Sequence, residues 1–395
     1  MDPMPMNLAT VLNLGSDRPG PCVSIYTRLS GAGPDVEQDQ TRLENLARQT
    51  RDKLVAAGLR AEDARELLAP VAHVAGAGGQ WRKRGSGLAL FVGPKESRTL
   101  GLADPVADAV FVGRRFNTRP LLPALEEAYP VYVLALSQGS TRLLRADAGG
   151  LEEVEGPPGM PTSIDEVTRL EDPERHLESH STGTGGVERG PSGGHGPQIM
   201  HGQGAYKDAR EDWLDEFTRQ VERAVTEWLQ GQGSPPLMLA GVKDVASAFR
   251  RQSRYSNLVR TGVSGNPDRI ASDEILKGAR VVAGALADAE RRRAKSRLVE
   301  RQGGGVARHV NKVLPAAHEG RVLELFLAEG AEVTGRFHPE SKTVDETPSS
   351  ALETDDLLDL AAHYTLRAGG KVHVMPLEDM PEDPASGPAQ ALLRY

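Results

Sequence analysis

The sequence predicts a three-domain protein of α/β and α+β architecture, and three observations carry that prediction. Short apolar runs of strand length alternate with amphipathic helical stretches along most of the chain. Breakers interrupt the pattern at Gly20-Pro21, Pro235-Pro236 and Gly265-Asn266-Pro267. A length of 395 residues exceeds what one hydrophobic core usually serves, while 38% apolar residues are enough for several. Aromatic residues are only 4% of the chain, so those cores are mainly aliphatic.

The first domain, residues 1–129, opens with a strand over Cys22 to Thr27. A polar helix follows from about Asp35 to Ala57, with Leu43, Leu46, Thr50 and Leu54 at helical spacing, and a short helix spans Ala61 to Leu68. Leu88 to Val92 and Arg98 to Leu102 flank Gly93-Pro94 and read as a hairpin. A strand over Ala109 to Gly113 leads into Pro120 and a helix reaching about Ala128.

The middle domain, residues 130–255, begins with paired strands, Val131 to Ser137 and Thr141 to Ala146, that turn at Gln138-Gly139. Residues 171–207 read as a long glycine-rich loop. Nine of the 22 residues from Gly183 to Gly204 are glycine, without apolar periodicity, so burial cannot offset the entropy of ordering them. Trp213, Phe217, Val221, Ala224, Val225 and Trp228 then line one face of a helix that Gly231 ends. Pro235-Pro236 leads to a strand over Leu237 to Val242, and the strand pair with its crossover helix predicts a mixed sheet covered by helices.

The last domain, residues 256–395, carries a long helix from about Asp273 to Arg301 and a shorter one ending before Pro315. A strand over Val322 to Ala328, a helix over Asp355 to Leu366 and a strand over Lys371 to Pro376 complete a small α/β sandwich. The tail from Pro381 reads as loop, although it closes with Ala391-Leu392-Leu393.

The net charge of −8 argues against a general nucleic-acid coat and confines any RNA contact to local basic patches. Trp81-Arg82-Lys83-Arg84 sets three cations beside an aromatic ring, a combination suited to phosphates and a stacked base and equally to a solvated turn. Arg291, Arg292 and Arg293, with Lys295 and Arg297, spread around the end of the long helix. There they either favour the helix C-terminus or contact RNA. The lone Cys22 excludes an internal disulfide and a cysteine metal cage. His176 and His180 stand at i, i+4, with His195 and His201 following, a set that could hold zinc if the segment were helical; without cysteines and along glycine-rich sequence, neither a metal nor another cofactor is expected. With no apolar run of membrane length and no secretory signal, the expectation is a soluble cytoplasmic protein with no membrane partner.

His201-Gly202-Gln203-Gly204 closes the glycine-rich stretch just ahead of the amphipathic helix. Glycines around a glutamine let the backbone approach a ligand closely, and the amide side chain can orient water or stabilise an oxyanion. Lys207 and Arg210 follow at the helix start, placed for phosphates. A solvated linker that happens to contain a glutamine is the plain alternative. A literal Gly78-Gly79-Gln80 lies in the first domain and reads as a turn.

The order of strand pair, glycine-rich loop, Gly-Gln-Gly, helix, strand and α/β domain resembles the archaeo-eukaryotic class I peptide-chain release factors and Pelota. The chain is more closely similar to the bacterial family related to them. Gly87-Leu88-Ala89-Leu90-Phe91-Val92-Gly93 resembles a strand reading Asn-Gly-Leu-Val-hydrophobic-Tyr-Cys-Gly in that family. Arg115-Phe116-Asn117-Thr118-Arg119-Pro120-Leu121 resembles its Lys-Phe-His-Thr-Glu-Ala-Leu, and Gly320 to Phe326 resembles its Gly-x-Val-x-x-Leu-Leu. The resemblance implies three domains, the middle one carrying a Gly-Gly-Gln loop for the ribosomal peptidyl-transferase centre. Gly202 and Gln203 match its last two residues, and His201 replaces the first glycine, whose backbone turn histidine tolerates poorly. Peptidyl-tRNA hydrolysis therefore stays open. The implied partners are the ribosome, rRNA, the tRNA acceptor end and a translational GTPase, with a monomer expected off the ribosome.

Neither the Asn-Ile-Lys-Ser loop nor the Tyr-x-Cys-x-x-x-Phe motif of stop-codon readers occurs in the sequence. This points to codon-independent work such as ribosome rescue or hibernation. The rival readings are a stand-alone hydrolase or nuclease using middle-domain carboxylates such as Asp147 or Asp244, and a non-catalytic interaction protein.

Overall fold

The computed structural model describes residues 6–30, 36–76, 85–126, 129–147, 150–171, 203–301, 304–346, 352–381 and 386–395. They form a mixed α/β structure that divides into two compact units, Met1–Tyr129 with Ala285–Tyr395, and Pro130–Gly284.

In the first unit, α1 (Leu8–Leu14) is capped by Asn7, whose side chain accepts a hydrogen bond from the Thr10 amide at 2.9 Å. An antiparallel sheet of order β3-β2-β1-β4 is built from β1 (Cys22–Arg28), β2 (Gly87–Val92), β3 (Ser97–Leu102) and β4 (Ala109–Gly113). Side chains alternate across β1, so Val23 and Ile25 enter one core while Cys22 and Tyr26 enter another. The Val23 side is covered by α2 (Val36–Ala56), α3 (Ala61–Leu67) and α4 (Ala69–Gly76), through Leu43, Leu54, Ala64 and Val71. The short α5 (Leu122–Glu126) ends this half.

The second unit is a three-layer sandwich around a five-stranded mixed sheet of order β7-β6-β5-β8-β9. Its strands are β5 (Val131–Leu136), β6 (Thr141–Asp147), β7 (Gly150–Val154), β8 (Leu237–Gly241) and β9 (Leu258–Ser264). β5, β6 and β7 form an antiparallel meander, and β8 and β9 add on in parallel. One face is packed by α6 (Ile164–Glu171), α7 (Gln203–Gly231) and α8 (Lys243–Gln252), and the other by the first half of α9 (Ser272–Glu300). Helices on both sides explain why β5 is apolar throughout rather than alternating.

The chain then returns to the first unit. A second sheet, of order β10-β16-β11-β15, is made by β10 (Val306–Arg308), β11 (Val322–Ala328), β15 (Lys371–Met375) and β16 (Ala389–Leu393). α10 (Val310–His318) and α11 (Leu357–Arg367) bury one of its faces, and Ala294 and Leu298 of α9 bury the other. A small sheet of β12 (Thr334–His338), β13 (Thr343–Glu346) and β14 (Asp355–Asp356) lies alongside.

Several expectations change. The chain from 1 to 129 and that from 285 onward share one core, in which Tyr26, Phe91 and Phe116 pack with Val310, Leu314, Leu357 and Leu358. The middle unit runs past residue 255 to Gly284, because β9 pairs with β8 and α9 covers the same sheet. α10 continues through Pro315 to His318, held by the burial of Val313, Leu314, Ala316 and Ala317. The tail forms an inner strand, β16, with all five residues buried.

Polar groups also tie the two halves of the first unit together. Asn117 Nδ2 donates to Asp356 at 2.8 Å, and Asp359 Oδ1 accepts from the Thr118 amide at 2.8 Å and its hydroxyl at 3.0 Å. Arg119 lies 3.3 Å from Asp356, and the Tyr26 hydroxyl donates to the Asn117 carbonyl at 2.6 Å. At Gly113 the backbones come so close that a Cβ would sit 2.9 Å from the Thr354 carbonyl oxygen. Burial, reinforced by the neighbouring Asp356 carboxylate, pushes Asp359 up to about 7.

Because folding raises the proton affinity of Asp359, its contribution to stability is complete below the unfolded value of 3.8 and is lost as pH rises through about 7. Asp359→Asn removes that dependence. Its stability relative to wild type is expected to improve by roughly 1–3 kcal/mol between pH 5 and pH 8, read by urea unfolding at the two pH values.

Candidate functional site

The sequence places its candidate chemistry at the start of α7, so the anchoring of that helix comes first. Phe217, Val221, Val225 and Leu229 recur every four residues and are fully buried against β5 and β8, through a core that includes Leu134, Leu136 and Leu239. Trp228 meets the Tyr132 ring edge-on at 5.6 Å. Polar contacts fix α7 to α8: Gln252 Nε2 donates to the Asp215 carbonyl at 3.0 Å, and Arg251 pairs with Asp215 at 2.9 Å. The Arg254 amide donates to Glu222 at 2.9 Å.

Ahead of this anchored stretch, α7 extends back to Gln203. At the helical rise, Gln203 lies about 16 Å along the axis from Leu214, the first residue packed against the core. The expected loop 171–207 therefore overlaps helix at both ends, because Glu171 closes α6 and Gln203 opens α7. Alanine, lysine, arginine and glutamate around 205–211 are good helix formers, and their propensity outweighs that of Gly204. Gln203, Gly204, Lys207 and Arg210 thus occupy the first two to three turns of α7. His201 and Gly202 lie outside the described residues, as do His176, His180 and His195, Gly78-Gly79-Gln80, and the patch Trp81, Arg82, Lys83 and Arg84.

The arginines at 291–293 belong to the first unit, with Arg291 partly buried and Arg292 and Arg293 exposed. Arg291 is ion-paired with Glu126 at 2.9 Å and Asp288 at 3.1 Å, and Arg293 reaches Glu290 at 4.0 Å. Arg297 bridges Glu290 and Glu324, while Lys371 meets Glu290 at 2.9 Å. The hydrogen bond from Lys371 helps hold the Glu290 carboxyl below its ordinary range. Glu126 also accepts from His373 at 2.6 Å if Nδ1 carries the proton. These charges dock the second half of α9 on its sheet, and Arg292 alone of the three arginines is exposed without an acidic partner among the described residues.

The two carboxylates of the rival hydrolytic reading do not meet. Asp147 follows Ala146, which pairs with Val131, whereas Asp244 follows Gly241, which pairs with Leu136 at the other end of β5. Five residues of strand separate those ends by about 16 Å, too far for an acid–base pair, which works within roughly 9.5 Å. Asp147 is also paired with Arg145 at 3.0 Å. Among the described residues, no group of three or more histidine, cysteine or carboxylate side chains could hold a metal ion. No described helix is long and apolar enough to cross a membrane.

Residues 130–321 match the model of the bacterial archaeo-eukaryotic release factor family 3. The resemblance read from the sequence is borne out over that span, which covers the whole second unit and continues through α10. No curated protein matches the chain. Among solved structures, the archaeal translation termination factor aRF1 is 14% identical over 98% of this chain and 97% of its own, with a TM-score of 0.22. Archaeoglobus fulgidus Pelota is 17% identical over 78% of this chain and 79% of its own, at 0.31. An archaeal Pelota solved with the ribosome and ABCE1 is 14% identical over 98% and 93%, at 0.39.

Phe217 is the largest of the fully buried side chains that anchor α7. Phe217→Ala is expected to destabilise the second unit by about 3–5 kcal/mol, measured as lost hydrogen-exchange protection across β5 and β8.

Proposed function

We propose that this chain is a cytoplasmic, ribosome-associated factor of the release-factor type that acts on stalled or idle ribosomes without reading stop codons. The observation that carries the reading is the family match over 130–321, in a unit whose longest helix begins at Gln203 immediately after His201-Gly202. The absence from the sequence of both stop-codon motifs supports the codon-independent part.

In this reading α7 is a rigid stalk that presents Gln203 to the acceptor end of tRNA or to rRNA. A helix start favours a phosphate or a developing oxyanion, and the Gln203 side chain would add an amide donor and acceptor that can hold water. Gly202 and Gly204 keep Cβ atoms away from the approaching ligand. His201 in place of the first glycine makes site occupancy the primary role and hydrolysis of peptidyl-tRNA the secondary one. A translational GTPase is the further partner of the reading.

Wild-type protein is expected to co-sediment with 70S ribosomes at near-physiological salt. Gln203→Ala is expected to retain that association while lowering any release of peptide from peptidyl-tRNA. Release that is equal in both proteins removes the hydrolytic role, and failure of the wild type to co-sediment removes the ribosomal one.

A further inference from the structure

Among the described residues of the second unit, a group of unneutralised cations lies where α8 meets the edge strand β9. From Lys243 to Arg269 the sequence has six basic and two acidic residues, in a chain whose net charge is −8. Arg250, Arg254 and Arg260 are all exposed, and none has an acidic side-chain partner among the described residues. Arg251 beside them is half-neutralised by Asp215 and remains exposed.

The fold gathers these residues at one sheet edge. β9 is the outermost strand on this side, with β8 as its neighbour. The Arg250 guanidinium reaches from the last turn of α8 to donate to the Arg260 carbonyl at 3.2 Å. It crosses β9 at Gly262, where a Cβ would sit 3.1 Å from Arg250 Nη2 and 2.5 Å from the Leu239 carbonyl oxygen. Glycine at 262 is what lets the guanidinium lie over the strand. Leu258, Arg260 and Gly262 share the α8 side of β9 by strand alternation, while Val259 and Val263 pack on the α9 side. Arg254 stands in the turn that joins α8 to β9.

A favourable charge at the α8 C-terminus accounts for Arg250 and Arg251, but not for Arg254 in the turn or Arg260 on the strand. We infer that Arg250, Arg254 and Arg260 form a docking surface for the phosphodiester backbone of structured RNA. This rests on the ribosomal reading above and names the surface by which the second unit contacts RNA. Three guanidiniums rather than ammonium groups suit phosphate oxygens, which arginine engages through a planar fork. A peptide strand is the poorer occupant, because Arg260 on the edge and the irregular register between Leu237 and Leu239 oppose strand addition.

The test uses the full chain and a short fluorescein-labelled RNA hairpin, with anisotropy read from about 50 to 200 mM salt. Arg254→Ala/Arg260→Ala is expected to bind at least about tenfold more weakly than wild type, with the salt slope reduced by about 2. Arg254→Lys/Arg260→Lys, which keeps the charge but not the planar fork, is expected to keep the wild-type salt slope while recovering only part of the binding. Arg65→Ala, at an exposed position of α3 in the other unit, is expected to bind as wild type does. Equal hairpin binding by wild type and the double alanine variant overturns the proposal, as does equal displacement by polyglutamate at matched charge. Co-sedimentation with 70S particles separates the two readings. If the double alanine variant sediments as wild type does, the surface is refuted and the ribosomal reading stands. If wild type binds the hairpin but not ribosomes, the ribosomal reading fails and the surface survives. Wild type that binds neither refutes both.

Discussion

The buried junction of Asn117, Thr118 and Arg119 with Asp356 and Asp359 is the constraint on which the first unit depends. It joins segments more than two hundred residues apart in sequence, and it does so with directional bonds rather than shape alone. An unpaired carboxylate in that position would be prohibitive, so the amide and hydroxyl of Thr118 and the guanidinium of Arg119 must arrive together with α11. Once they do, the Tyr26 face of the first sheet and the α10–α11 face of the second close over a single core. His363 of α11, which burial holds down at about 4, adds a second titrating group of opposite sense nearby. Protonating it below the ordinary histidine range opposes folding on the acid side, while ionising Asp359 opposes it on the alkaline side.

Much of this fold was legible because its main elements carry strong periodic signals. β1, the β2–β3 hairpin, the β5–β6 pair, α7, the long α9 and α11 all bury a clear face, and their sequence patterns say so. What escaped was structure specified by pairing rather than by pattern. β9 exposes most of its residues, and its sequence includes Arg260, Thr261 and Gly262, so nothing local marks it as a strand. β16 sits among Gly387 and Pro388, which read as loop, yet β10 and β11 supply the partners that make it central. The union of residues 1–129 with those beyond 285 is likewise invisible to any local window, since it lives in contacts such as Thr118 with Asp359.

The candidate site was legible in part. The pattern from Trp213 to Trp228 correctly located the helix behind the Gly-Gln-Gly sequence, but the glycines hid how far toward Gln203 that helix runs. Charge clusters were the weaker guide. Arg291, Arg293 and Arg297 stand out in the sequence, but their carboxylate partners Glu126, Glu290 and Glu324 come from three different elements and were not apparent. The arginines around β9 are more dispersed in sequence, and only the crossing of α8 over Gly262 brings them to one edge. A local count of basic over acidic residues from 243 to 269 would have found them.

The discontinuity of the first unit also bears on how the polypeptide is made. Pro130–Gly284 is continuous and has its own two cores, so it can complete its sheet while synthesis is still under way. The strands before it cannot. Tyr26, Phe91 and Phe116 must wait through the whole of Pro130–Gly284 and then α9 before α10 and α11 exist to cover them. During elongation the nascent protein therefore carries a half-built sheet with one greasy side open to water, which is the kind of surface that holding chaperones shield.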